Sequence, residues 1–215
     1  MKHLNAEKYN LAWFKLAECV SRKEKERALG VYRLLSHSLG NDALSTQLYG
    51  DLLLCFDDKR GAIEKYLHAA EIYKKSNKII EAIAVHEHLI VLDPEEKSHM
   101  LELCDLYVAI DMSFKMIDHV KQLLKDNKFD LAITISQKLD GTLENVEYAH
   151  LNQDILFALL NNKSSSKELI TKQLEKTVDL LQKTKNDLML NDFLSTLKAT
   201  SDQFHKHTSE YLQKS

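Results

Sequence analysis

The chain has 215 residues, of which 44% are hydrophobic, and it carries a net charge of −3 at neutral pH. This apolar content is sufficient for a continuous core and excludes a disordered chain, while the charge excludes the basic surface expected of a nucleic-acid-binding protein. With only five glycines and one proline, the chain lacks the turn residues that an all-β fold requires, so we expect an all-α protein.

Apolar residues recur at helical spacing in nine successive segments before the serine-rich stretch that begins at Asn161. Short polar stretches separate these segments, and each predicted connection is short enough to join antiparallel neighbours. Asp93-Pro94 ends one segment because a residue before proline is pushed out of the helical region. The predicted helices cover residues 7–21, 27–39, 43–57, 62–75, 79–92, 97–110, 114–125, 129–139 and 144–160.

Two ladders of equivalent residues indicate that these helices form a repeat. Ala28, Ala82 and Ala132 occupy the same place in three helices, at nearly equal intervals along the sequence. A second ladder lies one helix further on, with nearly the same intervals, and consists of Asp51, Asp105 and Asp154. The predicted unit is therefore three helices in about 50–54 residues, and such units bury their apolar faces by stacking on neighbours of the same kind.

The small and aromatic residues of the repeat resemble the tetratricopeptide pattern. Gly50 stands where that pattern places a small residue in its first helix, and Ala62, Tyr66 and Ala69 follow as alanine, aromatic and alanine in its second. A second set continues the pattern with Ala70, Ala82 and Pro94. Ala28 and Ala62 are separated by the length of one tetratricopeptide repeat, about 34 residues. The chain therefore resembles divergent bacterial tetratricopeptide-repeat proteins.

This resemblance covers residues 7–140 and the ninth predicted helix. It implies a right-handed α-solenoid that acts as a scaffold or adaptor, binding a protein or peptide on its concave face without catalysis. A chaperone for a secreted or assembled bacterial protein is the alternative, since helical repeat proteins of this size also fill that role. The residues that we expect to line the partner-binding groove are Gln47, Asp51, Asp105, His150 and Asp154.

Residues 161–215 depart from the repeat. A serine-rich stretch at 161–166 is typical of a linker, and Ser165 with Glu168 predicts the capping box of a new helix. We expect a break in this region near Asn191-Asp192. A narrow apolar stripe runs along it through Ile170, Leu174, Val178, Leu181 and Leu188. We therefore divide the chain into a repeat domain, 1–160, and a C-terminal helical appendage, 161–215, which either caps the last repeat or forms a coiled-coil dimerisation arm.

The remaining signals concern the compartment and possible ligands. Cys19, Cys55 and Cys104 lie far apart within helical patterns, which predicts buried, reduced thiols and a cytoplasmic protein. The amino terminus has no apolar signal segment, and no apolar run reaches the length of a membrane helix. The histidines fall singly or two apart, a spacing unsuited to clasping one ion, so we expect no metal and no cofactor. We expect a protein or peptide partner, no nucleic acid, no membrane, and a monomer or a homodimer.

Overall fold

The computed structural model describes the backbone of residues 2–213 and the side chains of residues 11–213. Over this range the chain forms twelve α-helices and one short 3-10 helix at Ser113–Lys115, with no strand, which confirms the predicted all-α class. The helices are α1 (Lys2–Ser21), α2 (Lys25–Leu39), α3 (Asp42–Cys55), α4 (Lys59–Lys75), α5 (Ile79–Leu92), α6 (Lys97–Ala109), α7 (Met116–Lys125), α8 (Phe129–Lys138), α9 (Asn145–Asn161), α10 (Lys167–Thr184), α11 (Asp187–Thr200) and α12 (Asp202–Leu212).

One turn geometry recurs between the helices. At the end of α3, Asp57 adopts a positive φ of 61°, and the N–H of the next residue, Asp58, donates to the carbonyl of Leu53 at 2.9 Å. This bond satisfies a carbonyl that the end of a helix leaves without a partner. The same bond, also at 2.9 Å, closes the turns at Lys23, Asn77, Asp111 and Asn127, where φ is again positive. Each of these turns occupies only a few residues between the end of one helix and the start of the next.

The chain divides into two compact units, residues 1–106 and 107–215, and the division falls inside α6. In the first unit, α1 packs on α2, α2 on α3, α3 on α4 and α4 on α5. The predicted close approach of α4 and α5 is supported by the burial of Ala69, Ala70 and Ala82, each of which is at most 1% exposed. Alanines at these points let the two helix backbones approach closely because no larger side chain separates them.

In the second unit, α7, α8 and α9 pack on one another, α10 packs along α9, and α11 and α12 pack on each other and on α10. The apolar stripe predicted for the appendage is therefore buried within one copy of the chain. The predicted boundary between residues 160 and 161 lies inside this unit and stays a prediction.

The buried face of α10 reproduces that of α4 at a distance of two repeats. In α4 the buried residues include Ala62, Tyr66, Ala69, Ala70 and Tyr73. At the same relative positions, the buried residues of α10 are Ile170, Leu174, Thr177, Val178 and Leu181. Midway between the two helices in the sequence, α7 buries Met116, Val120, Leu123 and Leu124 at the corresponding positions. The three-helix period therefore continues into the region that the sequence had separated as an appendage.

Details of the C-terminal helices differ from expectation. Ser166, rather than Ser165, caps α10, and its Oγ accepts a hydrogen bond from the N–H of Leu169 at 3.2 Å. The break predicted near Asn191-Asp192 is wrong, because α11 runs through those residues; the chain turns earlier, at Lys185, where φ is 53°. Leu188 consequently leaves the buried stripe and is 71% exposed.

A buried polar cluster joins α8, α9 and α10. Oδ1 of Asn152 accepts a hydrogen bond from Nε2 of Gln173 at 3.0 Å and lies 3.4 Å from Oγ of Ser136. Nδ2 of Asn152 donates to the carbonyl of Tyr148 at 2.8 Å. Because a buried amide left without partners is costly, this cluster fixes how α10 is placed along α9.

The cysteines do not share one environment. Cys104 is buried, Cys19 is half-buried and Cys55 is exposed, so the prediction of three buried thiols is wrong for Cys55. Cys55 is the last residue of α3, and its side chain is exposed at this helix end. None of the helices between residues 2 and 213 combines the length and hydropathy that a membrane-spanning segment needs.

Candidate partner-binding site

Two of the predicted groove residues, Gln47 and Asp51, lie one turn apart on α3 and bind tyrosines of α4. The hydroxyl of Tyr66 donates to Oδ1 of Asp51 at 2.5 Å, and the hydroxyl of Tyr73 donates to Oε1 of Gln47 at 3.2 Å. Burial, followed by the hydrogen bond to Asp51, raises the pKa of Tyr66, and burial raises that of Tyr73. Both hydroxyls therefore remain protonated donors at neutral pH, and the two predicted residues help to hold α4 against α3.

The other predicted residues, Asp105, His150 and Asp154, are exposed. Asp105 lies on α6 in the first unit. His150 and Asp154 lie one turn apart on α9 in the second unit, where Oδ2 of Asp154 is 3.6 Å from Nζ of Lys121. Nδ1 of His150 is 3.1 Å from Oε1 of Gln153, a residue of the same helix. The five residues thus occupy the surfaces of α3, α6 and α9, the three helices that the aspartate ladder relates.

A surface depression beside His150, which we call the C-terminal groove, lies between α9 and α11 and has a volume of about 300 Å³. Phe157 of α9 and Phe193 of α11 are among its lining residues, with ring centroids 5.9 Å apart. Val146 and Leu188, which also line it, are 42% and 71% exposed. The lining also contains Met189 and five polar residues, namely His150, Gln153, Asn186, Asp192 and Thr196.

The lining of the C-terminal groove thus combines apolar and polar side chains. An apolar centre surrounded by polar groups is the usual composition of a protein–protein contact. Across residues 11–213, no three or more His, Cys, Asp or Glu side chains are grouped so that they could hold a metal ion. Of the residues predicted for the partner-binding groove, only His150 lines this depression. Leu188 also lines it, although the sequence assigned that residue to the buried stripe.

A second depression, which we call the histidine pocket, has a volume of about 530 Å³ and is lined by residues of α4, α5 and α6. Nζ of Lys74 donates to Oε2 of Glu102 at 2.7 Å and lies 3.5 Å from Oε1 of Glu71. The hydrogen bond to Glu102 raises the pKa of Lys74. The residues lining the pocket are Leu67, His68, Glu71, Lys75, His86, Ser98 and Glu102.

His86 of this pocket is almost fully buried, at 3% exposure, and its ring centroid is 6.4 Å from that of His99, which is 2% exposed. Burial lowers the pKa of His86. The spacing of the histidines in the sequence did not indicate this pair, because His99 lies on α6, the helix that follows α5. The repeat could have drawn attention to His99, because this residue is the repeat equivalent of Ser45: it precedes Asp105 by the same interval as Ser45 precedes Asp51.

The chain matches no model of a known protein family and no curated protein sequence.

Proposed function

We propose that the protein is a scaffold or adaptor that binds a segment of a protein partner, and that its repeats are of the tetratricopeptide type. The observation that carries the proposal is the C-terminal groove, where Leu188 and Val146 stay exposed beside Phe157 and Phe193. Isolated apolar side chains are common on protein surfaces, but several that converge on one groove form a contact site.

The spacing of the turns supports the tetratricopeptide assignment. Lys23 and Asp57 are separated by the same interval as Asn77 and Asp111, and all four residues form the same left-handed turn. That interval, about 34 residues, is the length of one tetratricopeptide repeat. The contact between Gly50 and the ring of Tyr66 also supports it, because a small residue in one helix that receives an aromatic ring from the next belongs to that pattern. The right-handed solenoid is the arrangement that this assignment implies.

The lining of the C-terminal groove also indicates which partner segment would fit. Its apolar residues would bury one or two apolar side chains of the partner, while Gln153, Asn186 and Thr196 offer hydrogen bonds to backbone amides. Asp192 supplies a carboxylate on α11, so a basic residue next to the apolar anchor would complement it. The proposed ligand is therefore a short segment with an apolar anchor and an adjacent lysine or arginine.

Substitution Leu188→Asp tests the proposal, because it places a charge in the groove without disturbing a buried contact. Affinity purification of the full chain from its native host should recover a partner that Leu188→Asp depletes at least about tenfold, which corresponds to about 1.4 kcal/mol of binding free energy. Leu34→Asp is the matched control, since Leu34 is 73% exposed on α2 and lies outside the groove.

Equal recovery of the same partner by both variants would contradict the assignment of the groove. Loss of the partner with both variants would also contradict it, since the binding would then depend on surface charge in general. Circular dichroism of both variants shows whether the helices remain intact, so that a loss of binding is not confused with unfolding.

A further inference from the structure

The buried pair His86 and His99 has polar groups that the protein does not satisfy. Nδ1 of His86 and both ring nitrogens of His99 are inaccessible to solvent, and none of the described groups forms a hydrogen bond with them. Buried polar atoms are normally paired, and an unpaired one reduces stability. The histidine pair is therefore a site in the first unit where three buried nitrogens lack hydrogen bonds.

Equivalent points in two other repeats show how the chain satisfies the same position elsewhere. One repeat before His86, the equivalent residue is Tyr32, which donates its hydroxyl proton to the carbonyl of Ser45 at 2.9 Å. One repeat after His86, the equivalent residue is Ser136, whose Oγ is 3.4 Å from Oδ1 of Asn152. The position is therefore polar in three successive repeats, but the histidine pair differs because three of its four ring nitrogens have no hydrogen-bond partner among the described groups.

We propose that His86 and His99 form an acid-sensitive joint between α5 and α6, which is closed while both rings are neutral and opens when a ring takes up a proton. A neutral imidazole tolerates the buried position, whereas an imidazolium requires a counter-charge or water. Protonation of both rings would place two like charges about 6.4 Å apart between their centroids. Opening would join the histidine pocket to the ring nitrogens that are now enclosed.

The charged groups around the pair lie on each neighbouring segment. On α4 they are Glu71 and Lys74, together with His68 and Lys75 at the pocket; Glu102 lies on α6 and Glu96 precedes it. The carboxylates of Glu71 and Glu102 favour a charged His86, while Lys74 and His99 oppose it. Because Lys74 lies within 3.5 Å of one carboxylate and 2.7 Å of the other, it offsets their attraction for a proton on His86.

The direction of the pH effect follows from burial. Burial lowers the pKa of His86 below the ordinary histidine value of 6.5. Above pH 6.5 the ring is neutral in both the folded and the unfolded chain, and the pair imposes no pH-dependent penalty. As the pH falls below 6.5, the unfolded or opened chain binds a proton that the closed form resists, so the closed form loses stability until the pH passes the lowered pKa.

Three measurements on the full chain test the joint. Histidine NMR titration should give a pKa below 6.5 for His86. Hydrogen exchange, corrected for intrinsic rates, should show faster exchange in residues 79–106 at pH 5.5 than at pH 7.5. Over the same interval the melting temperature should fall further for the wild-type chain than for His86→Gln/His99→Gln, because only the wild-type chain loses stability by protonation of this buried pair.

His68→Gln is the matched control, because His68 lines the same pocket but is exposed. It should keep the wild-type dependence of the melting temperature on pH. An ordinary pKa for His86 would overturn the proposal, as would unchanged exchange in 79–106 or an undiminished pH dependence in the double variant. If the double variant does not fold, the titration and the exchange experiment on the wild-type chain decide the matter.

Discussion

Two glycines in helix interiors have opposite surroundings. A Cβ built on Gly50 would lie 2.9 Å from Cε1 of Tyr66, whereas a Cβ built on Gly30 would have no described atom within 4 Å. A glycine inside a helix costs about 1 kcal/mol relative to alanine. At Gly50 this cost is offset by the burial of the Tyr66 ring, which is 1% exposed and hydrogen-bonded to Asp51. At Gly30 no packing contact offsets it.

Alanine at the two positions should therefore change stability in opposite directions. We expect Gly30→Ala to raise the free energy of unfolding by about 0.5–1 kcal/mol, since it removes the cost of glycine without a clash. We expect Gly50→Ala to lower it by about 1 kcal/mol, because overpacking of about 1–3 kcal/mol against Tyr66 exceeds the gain in helix propensity. Urea denaturation measures both values, and stabilisation by both substitutions would show that the Gly50–Tyr66 contact is unimportant.

The cysteines provide a second prediction for individual side chains. Cys55 is exposed and should react with a thiol reagent in the native protein, while Cys104 is buried and should react only in denaturant. The half-buried Cys19 should react at an intermediate rate. Counting labelled thiols by mass spectrometry over time checks the order, and Cys55→Ser should remove the fastest phase. A fast phase that persists in this variant would place the accessible thiol elsewhere.

At the level of helices, the sequence predicted the ladder of Ala28, Ala82 and Ala132, and all three residues are fully buried. This ladder was visible because the same residue type recurs at nearly the same spacing. The continuation into α10 was not visible, since Ile170 and Leu174 differ in type from Ala62 and Tyr66 and share only their positions. The pairing of His99 with His86 was also not visible in the sequence, because it depends on the proximity of α6 to α5 in the folded chain.

The packing of α10 on α9 leads to a prediction about truncation. Removing residues 163–215 would expose Leu151, Ile155 and Leu159, which are at most 1% exposed in the intact chain, and would remove Gln173 from Asn152. We expect this shorter chain to aggregate or to melt at a lower temperature, because the uncovered apolar face of α9 then meets water.

Light scattering and thermal melts would compare three chains. A control chain that ends at Thr200 lacks α12 and the few residues that flank it, but keeps α10. It should remain soluble and lose less stability than the chain without residues 163–215. A dimeric full chain whose 163–215 truncation is a stable, soluble monomer would contradict this prediction and would favour the dimerisation arm.

For the molecule as a whole, the low glycine content correctly indicated the helical class. It did not indicate which residues adopt the left-handed conformation in the turns between helices. The described chain places eight residues at positive φ, and only Gly40 and Gly141 are glycines. The other six are Lys23, Asp57, Asn77, Asp111, Asn127 and Lys185. Asparagine and aspartate accept this conformation more readily than most residues, while the two lysines carry its steric cost. Twelve helices can therefore be joined in a chain with five glycines.

These turns also bear on the speed of folding. The turns at Lys23, Asp57 and Asn77 each join two packed helices that are neighbours in the sequence, so most native contacts within such a hairpin close only a short loop of chain. Short loops lose little entropy on closure, and proteins dominated by such contacts reach their native state quickly. A hairpin such as α4 and α5 can therefore start to form before distant parts of the chain have met, and each formed hairpin offers a surface on which the next one condenses.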